Sequence, residues 1–391
     1  MTAVLQGVRV VELGTMITAP LAGMMLADLG AEVIKVEHPQ GGDPFRSFRG
    51  GLYSPHFVAY NRGKRSIKLD LRHAQGQAVL RKLLARADIL LENYRAGVMD
   101  RLGFSVDALR ADHPRLIHCS ITGFGATGPY SGRPAYDSVG LALSGIASLM
   151  LDPQAPQVCG PTIPDNATGM FACYGILGAL YERERTGRGR RVEVNMLEAA
   201  IAFIPDPFAN HTQMGIRNDP LTRVASSHSF AFRCADGKLI AVHLSSQPKF
   251  WEGLLTALGR PELAQDPRFA SRDARIRNFV ELTRVLGEAF ARKPRVEWMA
   301  LLEANDVPFA PVHTIPEVIE DEQVRHLHTF RTLTHPTEGD VLTIRRPVRI
   351  DGGRDGSDLA APTLGQHTDE VLTELGYDTG EIAKLRAASV I

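Results

Sequence analysis

One aspartate is the first candidate for chemistry in this chain. Asp165 lies in Thr162-Ile163-Pro164-Asp165-Asn166-Ala167-Thr168-Gly169-Met170, where the chain turns into a long run of apolar and small residues, Met170 to Leu180. That run reads as a buried helix. A carboxylate at the mouth of such a helix is either a cap or a reagent. Asp is a favoured N-cap residue, and taken alone the local pattern favours the cap. As a reagent, the same carboxylate would offer nucleophilic or acid–base chemistry. Cys159, close ahead in the sequence, has no cue for a base beside it and makes a poor nucleophile. The 13 histidines form no H-x-x-x-H or H-E-x-x-H cluster, so no metal is expected.

Such a site needs a scaffold. The chain has 391 residues, 44% hydrophobic and 23% charged, ordinary values for a soluble globular protein of one or two domains. Lys plus Arg and Asp plus Glu both number 44, so bulk charge points to neither nucleic acid nor an anionic membrane. The four cysteines are scattered, with no C-x-x-C pair, and read as small apolar fillers in a reducing compartment. With no leader and no apolar run of membrane-spanning length, the expected location is cytoplasmic.

The first 125 residues alternate strand and helix signals. Val8–Leu13, Glu32–Glu37, Ser66–Leu71, Asp88–Asn93 and Leu116–Thr122 read as strands, and His73–Ala85 and Ser105–Ala111 as helices. A further helix is expected between Pro20 and Gly30. This alternation predicts an α/β fold with a Rossmann-like, mainly parallel sheet. Ligands bind such sheets at the carboxyl ends of the strands, which directs attention to the loops after Leu13, Glu37 and Leu91. The stretch Leu13–Pro20 lacks G-x-G-x-x-G, which argues against a nicotinamide or flavin enzyme. Later, Asp236-Gly237 between Phe230–Cys234 and Leu239–His243 predicts a hairpin. Helices are expected over Pro248–Leu258, over Asp273–Ala291 capped by Ser271, and over Asp369–Leu375, with strand again over Leu342–Ile350. A large α/β domain (1–205 and 346–391) with an inserted small α+β domain (226–325), joined by linkers 206–225 and 326–345, is the expected organisation.

With these pieces in order, the chain resembles the class III coenzyme A transferases, which include formyl-CoA transferase and the carnitine and bile-acid CoA-transferases. The resemblance runs nearly end to end. It rests on Gly7–Leu13, Leu26–Glu37, Asn61–Ser66, Glu92–Arg95, Gly123-Phe124-Gly125, Pro134–Asp137 and Ala361–Thr368. Asp165 matches the family's catalytic aspartate, which displaces the cap reading. The resemblance implies a covalent mechanism through an aspartyl-CoA thioester, with acyl-CoA and a carboxylic acid as substrates and no permanent cofactor. A helix N-terminus is expected to keep Asp165 ionised at neutral pH. By family position, His38, Leu69, Arg72, Asn93, Tyr94, Arg95 and Arg101 should line the CoA site. Ile17, Thr18, Asp137, Ser227 and His228 are candidates for the acid side, and Tyr136 for positioning Asp165.

The chain departs from formyl-CoA transferase in three places. Ile17 stands for a glutamine, His38 for an arginine, and Val224-Ala225-Ser226-Ser227-His228 for a run of glycines, which speaks against formyl or oxalate substrates. The same fold carries α-methylacyl-CoA racemases, which resemblance gives a histidine where this chain has Tyr136; a tyrosine with a pKa near about 10 suits proton shuttling poorly. Transfer is therefore favoured over racemisation, and retention of Asp165 over a non-catalytic CoA-ester-binding protein. Succinyl-CoA is the first donor to consider. The resemblance further implies an interlocked homodimer.

Overall fold

The computed structural model describes residues 3–354 and 356–391. Six strands, β1 (Arg9–Glu12), β2 (Glu32–Glu37), β3 (Lys64–Lys68), β4 (Ile89–Glu92), β5 (Ile117–Thr122) and β6 (Arg191–Asn195), form one parallel sheet in the order β3-β2-β1-β4-β5-β6. The sheet is covered on both faces, which is why its central strands β1 and β4 carry apolar residues in succession instead of alternating. Val10, Val33, Ile89, Leu91, Ile117 and Cys119 pack with one helical layer. Val11, Ile34, Ile67 and Leu90 pack with the other, to which the chain's end contributes Val371, Leu372, Ile382 and Leu385. Each such aliphatic side chain contributes about 1.5–3 kcal/mol by leaving water.

Three helices matter for the site: α1 (Thr18–Asp28), α2 (Asp137–Leu143) and α3 (Pro164–Thr186). α1 and α3 pack through small residues, Ala19, Ala22 and Ala27 against Ala172, Cys173 and Ala179. At Gly169 a Cβ would lie 2.7 Å from Thr18 O, so only glycine permits this approach. α3 ends at Gly187, whose φ of 70° suits the left-handed cap position. The run Met170–Leu180 was expected to be buried, but Met170 and Tyr174 are 53% and 75% exposed; with Tyr181 just beyond it, they lie on the face of α3 turned away from the sheet.

Under the sheet's carboxyl edge lies a buried ionic network. Glu12 takes Lys35 at 2.9 Å and Lys64 at 2.8 Å, and Lys35 also reaches Asp43 at 3.0 Å. Beside it Glu37 holds Arg46 at 2.7 Å. The Glu12 and Asp43 carboxylates, with Glu37 near, push Lys35 above its ordinary pKa against its burial, whereas burial outweighs Glu12 at Lys64 and lowers it to about 8. Gly23 makes room for this arrangement, since a Cβ there would lie 2.0 Å from Glu12 Oε2. Gly23→Ala is expected to cost about 3–5 kcal/mol by breaking the shared carboxylate's pairing, as read by urea unfolding. A loss below about 1 kcal/mol would mean that Glu12 has another place to go.

The described residues group into two units, 1–147, 160–205 and 328–391 in one, and 148–159 and 206–327 in the other. In the second, the expected hairpin is present as β7 (Ser229–Arg233) and β8 (Leu239–His243), extended by β9 (Phe309–Pro311). Phe230 and Phe232 point into a core with Trp251, Leu286 and Trp298. Two sequence expectations, one long helix over Asp273–Ala291 and strand over Leu342–Ile350, need correction. Asp273–Ala291 is two helices, Arg272–Arg277 and Phe279–Phe290, broken at Asn278, whose side chain bonds to the Arg268 and Ala274 carbonyls. The stretch read as a linker over 206–225 is mostly helical, in Pro205–Met214 and Thr222–Ser227. The other, 326–345, holds a hairpin of β10 (Phe330–His335) and β11 (Gly339–Ile344), so strand ends at Ile344 and not at Ile350.

Candidate active site

The strand order reverses between β1 and β4, so the loops leaving these two strands flank the place where such sheets bind ligands. Asn93, just past β4, ties them together. Its Oδ1 accepts the Thr15 N–H at 2.9 Å, and its Nδ2 donates to Thr15 O at 2.8 Å and Thr18 Oγ1 at 2.9 Å. Both amide protons are thus used inside the protein. Ile17 is the residue before α1, with its side chain buried among Phe45, Phe57 and Ala361, and no side chain caps the helix.

Asp165 is the second residue of α3, after Pro164, and not its N-cap; Ile163 holds that place and its side chain makes no cap. α1 follows β1 and α3 runs back toward β6, so both helices start at the carboxyl edge of the sheet. Gly169 touches Thr18, and Asp165 lies one turn earlier on the same face of α3, level with the loop that precedes α1. The backbone N–H of Asp165 donates to Asp137 Oδ1 at 3.1 Å from the start of α2. Burial first, and the Asp137 carboxylate second, push Asp165 up to about 7. Desolvation and a like charge thus work against the helix N-terminus that was expected to keep Asp165 ionised at neutral pH. Burial also raises Asp137, although the Asp165 N–H opposes the rise. Among the described residues Tyr136 makes no hydrogen bond to Asp165 and is 62% exposed, while its neighbour Asp137 reaches Asp165.

The expected CoA residues fall in two clusters. His38, after β2, and Arg72, after β3, meet at 2.8 Å, and Arg72 grips Asp70 at 2.6 Å, which holds that carboxyl well below the usual carboxylate range. Arg95 and Arg101 stand exposed around the turn Val98–Arg101, and neither pairs with a carboxylate among the described residues. Tyr94 is half-buried against the core, and burial raises its hydroxyl. Leu69 is 2% exposed and belongs to that core, so only its backbone could face a ligand. Ser227 and His228 are buried in the second unit and end a helix instead of forming an open loop. Ser227 Oγ donates to Arg223 O and meets Ser229 Oγ at 3.0 Å; burial, with Arg275 close, lowers His228 to about 4. Cys159 is exposed and lies in the second unit.

Asp43 and Lys35 escaped the sequence reading. Both hold the Gly14–Met16 backbone from below, and nothing local marks a lysine in mid-strand as buried. Among the described residues no group of His, Cys, Asp and Glu is arranged to hold a metal ion. No helix among them is long and apolar enough to cross a membrane.

The sequence profile of CoA-transferase family III matches residues 5–368. The mouse succinyl-CoA:glutarate CoA-transferase is 33% identical over 400 residues, covering 99% of this chain and 90% of that protein. A formyl-CoA:oxalate CoA-transferase of Streptomyces avermitilis is 34% identical over 412 residues, covering 100% of both. Among solved structures, a CAIB/BAIF family protein from Brucella suis superposes with a TM-score of 0.84 at 33% identity, covering 95% of this chain and 99% of that one.

Proposed function

The chain belongs to CoA-transferase family III and is an enzyme of that type, and from this premise we propose that Asp165 carries coenzyme A covalently between two carboxylic acids. The observation that carries the reading is the Asp165 carboxylate itself, half-buried at the start of α3 and raised to about 7 beside Asp137. The carboxylate attacks the thioester carbonyl of the donor, forming a mixed anhydride and releasing CoA thiolate. The thiolate attacks the aspartyl carbonyl, which frees the donor acid and leaves an aspartyl-CoA thioester. The acceptor carboxylate then attacks that thioester, giving a second anhydride and thiolate. Attack of the thiolate on the acceptor carbonyl yields the new acyl-CoA and restores Asp165.

The environment suits this exchange. Acylation turns a desolvated anion near a second carboxylate into a neutral anhydride, relieving the burial cost first and the Asp137 repulsion second. The uncapped start of α1 offers N–H dipoles to the charge that develops on the thioester oxygen. His38 and Arg72, with Arg95 and Arg101, are the cations proposed for the CoA phosphates. Succinyl-CoA is the proposed donor, supported by the name of the mouse relative, with a small carboxylic acid as acceptor. We also assign a homodimer, supported by the bare apolar side chains of Met170, Phe171, Tyr174 and Tyr181 on α3. Intact-protein mass spectrometry after brief exposure to succinyl-CoA tests the chemistry. The expected product is a hydroxylamine-sensitive CoA adduct on Asp165; labelling elsewhere, or none from any acyl-CoA, would refute it.

The reactive form is the anion, so adduct formation should rise with pH and level off above about 7, where Asp165 is ionised. Asp137→Asn removes the like charge and should move that inflection to lower pH, while burial keeps it above the ordinary carboxylate range. Rapid-quench rates between pH 5 and 9 (about two units on either side) read it directly. An inflection that stays put or climbs would show that Asp137 does not act through its charge.

A further inference from the structure

Three side chains from three elements converge on one short stretch of backbone. Lys35 Nζ, from β2, donates to Gly14 O at 2.6 Å. Asn93, past β4, takes both the N–H and the C=O of Thr15. Asp43, in the loop after β2, accepts the Met16 N–H with its two oxygens at 3.0 and 3.2 Å, and also the Phe45 N–H at 3.0 Å. Lys35 and Asp43 are themselves paired at 3.0 Å and have no side-chain exposure. The residue they brace is unusual: Met16 has a φ of 65°, a left-handed conformation that costs a non-glycine residue about 1 kcal/mol or more. Left unbraced, this turn would relax. Charge-assisted hydrogen bonds are roughly twice as strong as neutral ones, which suits them to holding it. The turn leads directly into the uncapped start of α1, where Thr18 O lies against Gly169, one turn from Asp165.

We propose that Lys35 and Asp43 are positioning residues for CoA transfer, locking Gly14–Met16 in a strained turn that sets the start of α1 against Asp165. The inference rests on the covalent reading of Asp165. Neither residue touches the acyl group; both act through the turn. They complete, from beneath the sheet edge, the hold that Asn93 supplies from β4.

The test compares wild type, Asp43→Asn and Met16→Gly in three measurements. These are the rapid-quench rate of the Asp165–CoA adduct from succinyl-CoA, the Kd for free CoA by calorimetry, and urea unfolding. Asp43→Asn keeps an oxygen for the Met16 N–H but loses the charge that meets Lys35. Its adduct formation is expected to slow about 100-fold, the effect of roughly an ångström of misplacement, with CoA affinity held within about threefold. Met16→Gly removes the strain and with it the definition of the turn. It should unfold no more easily than wild type, yet form adduct at least about tenfold more slowly. Should Asp43→Asn fail to unfold cooperatively, Asp43→Glu, which keeps the charge against Lys35 but displaces it by one methylene from the Met16 N–H, takes its place with the same expected loss. Wild-type rates in the variants, or rate losses matched by equal losses of CoA affinity, would overturn the proposal. No adduct in the wild type would sink the covalent reading and this inference with it; adduct in the wild type with unaffected variants sinks the inference alone.

Discussion

Asp165→Ala is expected to lose CoA transfer by on the order of 10⁴-fold or more, the scale seen when a covalent nucleophile is removed. No other group on α1, α2 or the start of α3 can replace it, because both halves of the exchange pass through its carboxyl carbon. Asp137, the nearest acid, is engaged with the Asp165 N–H and stands on another helix. The variant should still bind CoA, since the cations proposed for its phosphates, His38, Arg72, Arg95 and Arg101, lie on other elements than Asp165. Mass spectrometry should find no adduct, and steady-state assay no transfer, at unchanged Kd for CoA. Asp165→Asn adds a second readout. A group whose folded pKa is raised above its unfolded value takes stability away as pH climbs between the two. For Asp165 that window runs from the ordinary carboxylate range up to about 7. Asp165→Asn should therefore resist urea better than wild type at pH 8 (about one unit above the inflection), with the difference closing as the pH falls to the ordinary carboxylate range. Transfer that survives in Asp165→Ala would remove the mechanism.

Gly169→Ala is expected to lower the transfer rate by about 100-fold while leaving the protein folded. Its Cβ would lie 2.7 Å from Thr18 O and 3.0 Å from the Leu21 Cβ, and a backbone oxygen cannot swing aside as a long side chain can. α1 and α3 must part, and the parting falls one turn from Asp165. The same change removes a helix-interior glycine, which by itself favours folding by up to about 1 kcal/mol. Stability and activity should thus separate, with near-normal urea unfolding beside slow adduct formation. Full activity would mean that the Asp165 geometry tolerates a shift between the two helices.

Much of the fold could be read from the sequence because its signals are local. Most of the five strands before residue 125 carry successive apolar residues between helix signals, and Asp236-Gly237 marks a hairpin by its turn chemistry. β6 escaped notice because Arg191 and Glu193 interrupt its apolar residues at the sheet's edge. Of the β10–β11 hairpin only the end of β11 was read, because Leu333 is the one aliphatic residue in β10. The identity of Asp165 was legible, but its state was not. Its raised pKa depends on burial and on Asp137, far away in sequence and brought alongside by α2. The clamp was invisible for the same reason: Lys35 and Asp43 look like surface charges until β1, β2 and the following loop place them over Gly14 and Met16.

The ionic network under the sheet edge limits how this chain can drift. Glu12 serves Lys35 and Lys64 together, Lys35 also serves Asp43, and Glu37 serves Arg46, so three acids balance three bases in a dry interior. Neutralising one member strands a charge, whereas exchanging an acid and a base together for well-packed apolar residues keeps the sum at zero. Lineages descending from this sequence can therefore change these positions only in matched pairs, and a descendant lacking Lys64 should have altered Glu12 or Asp43 as well.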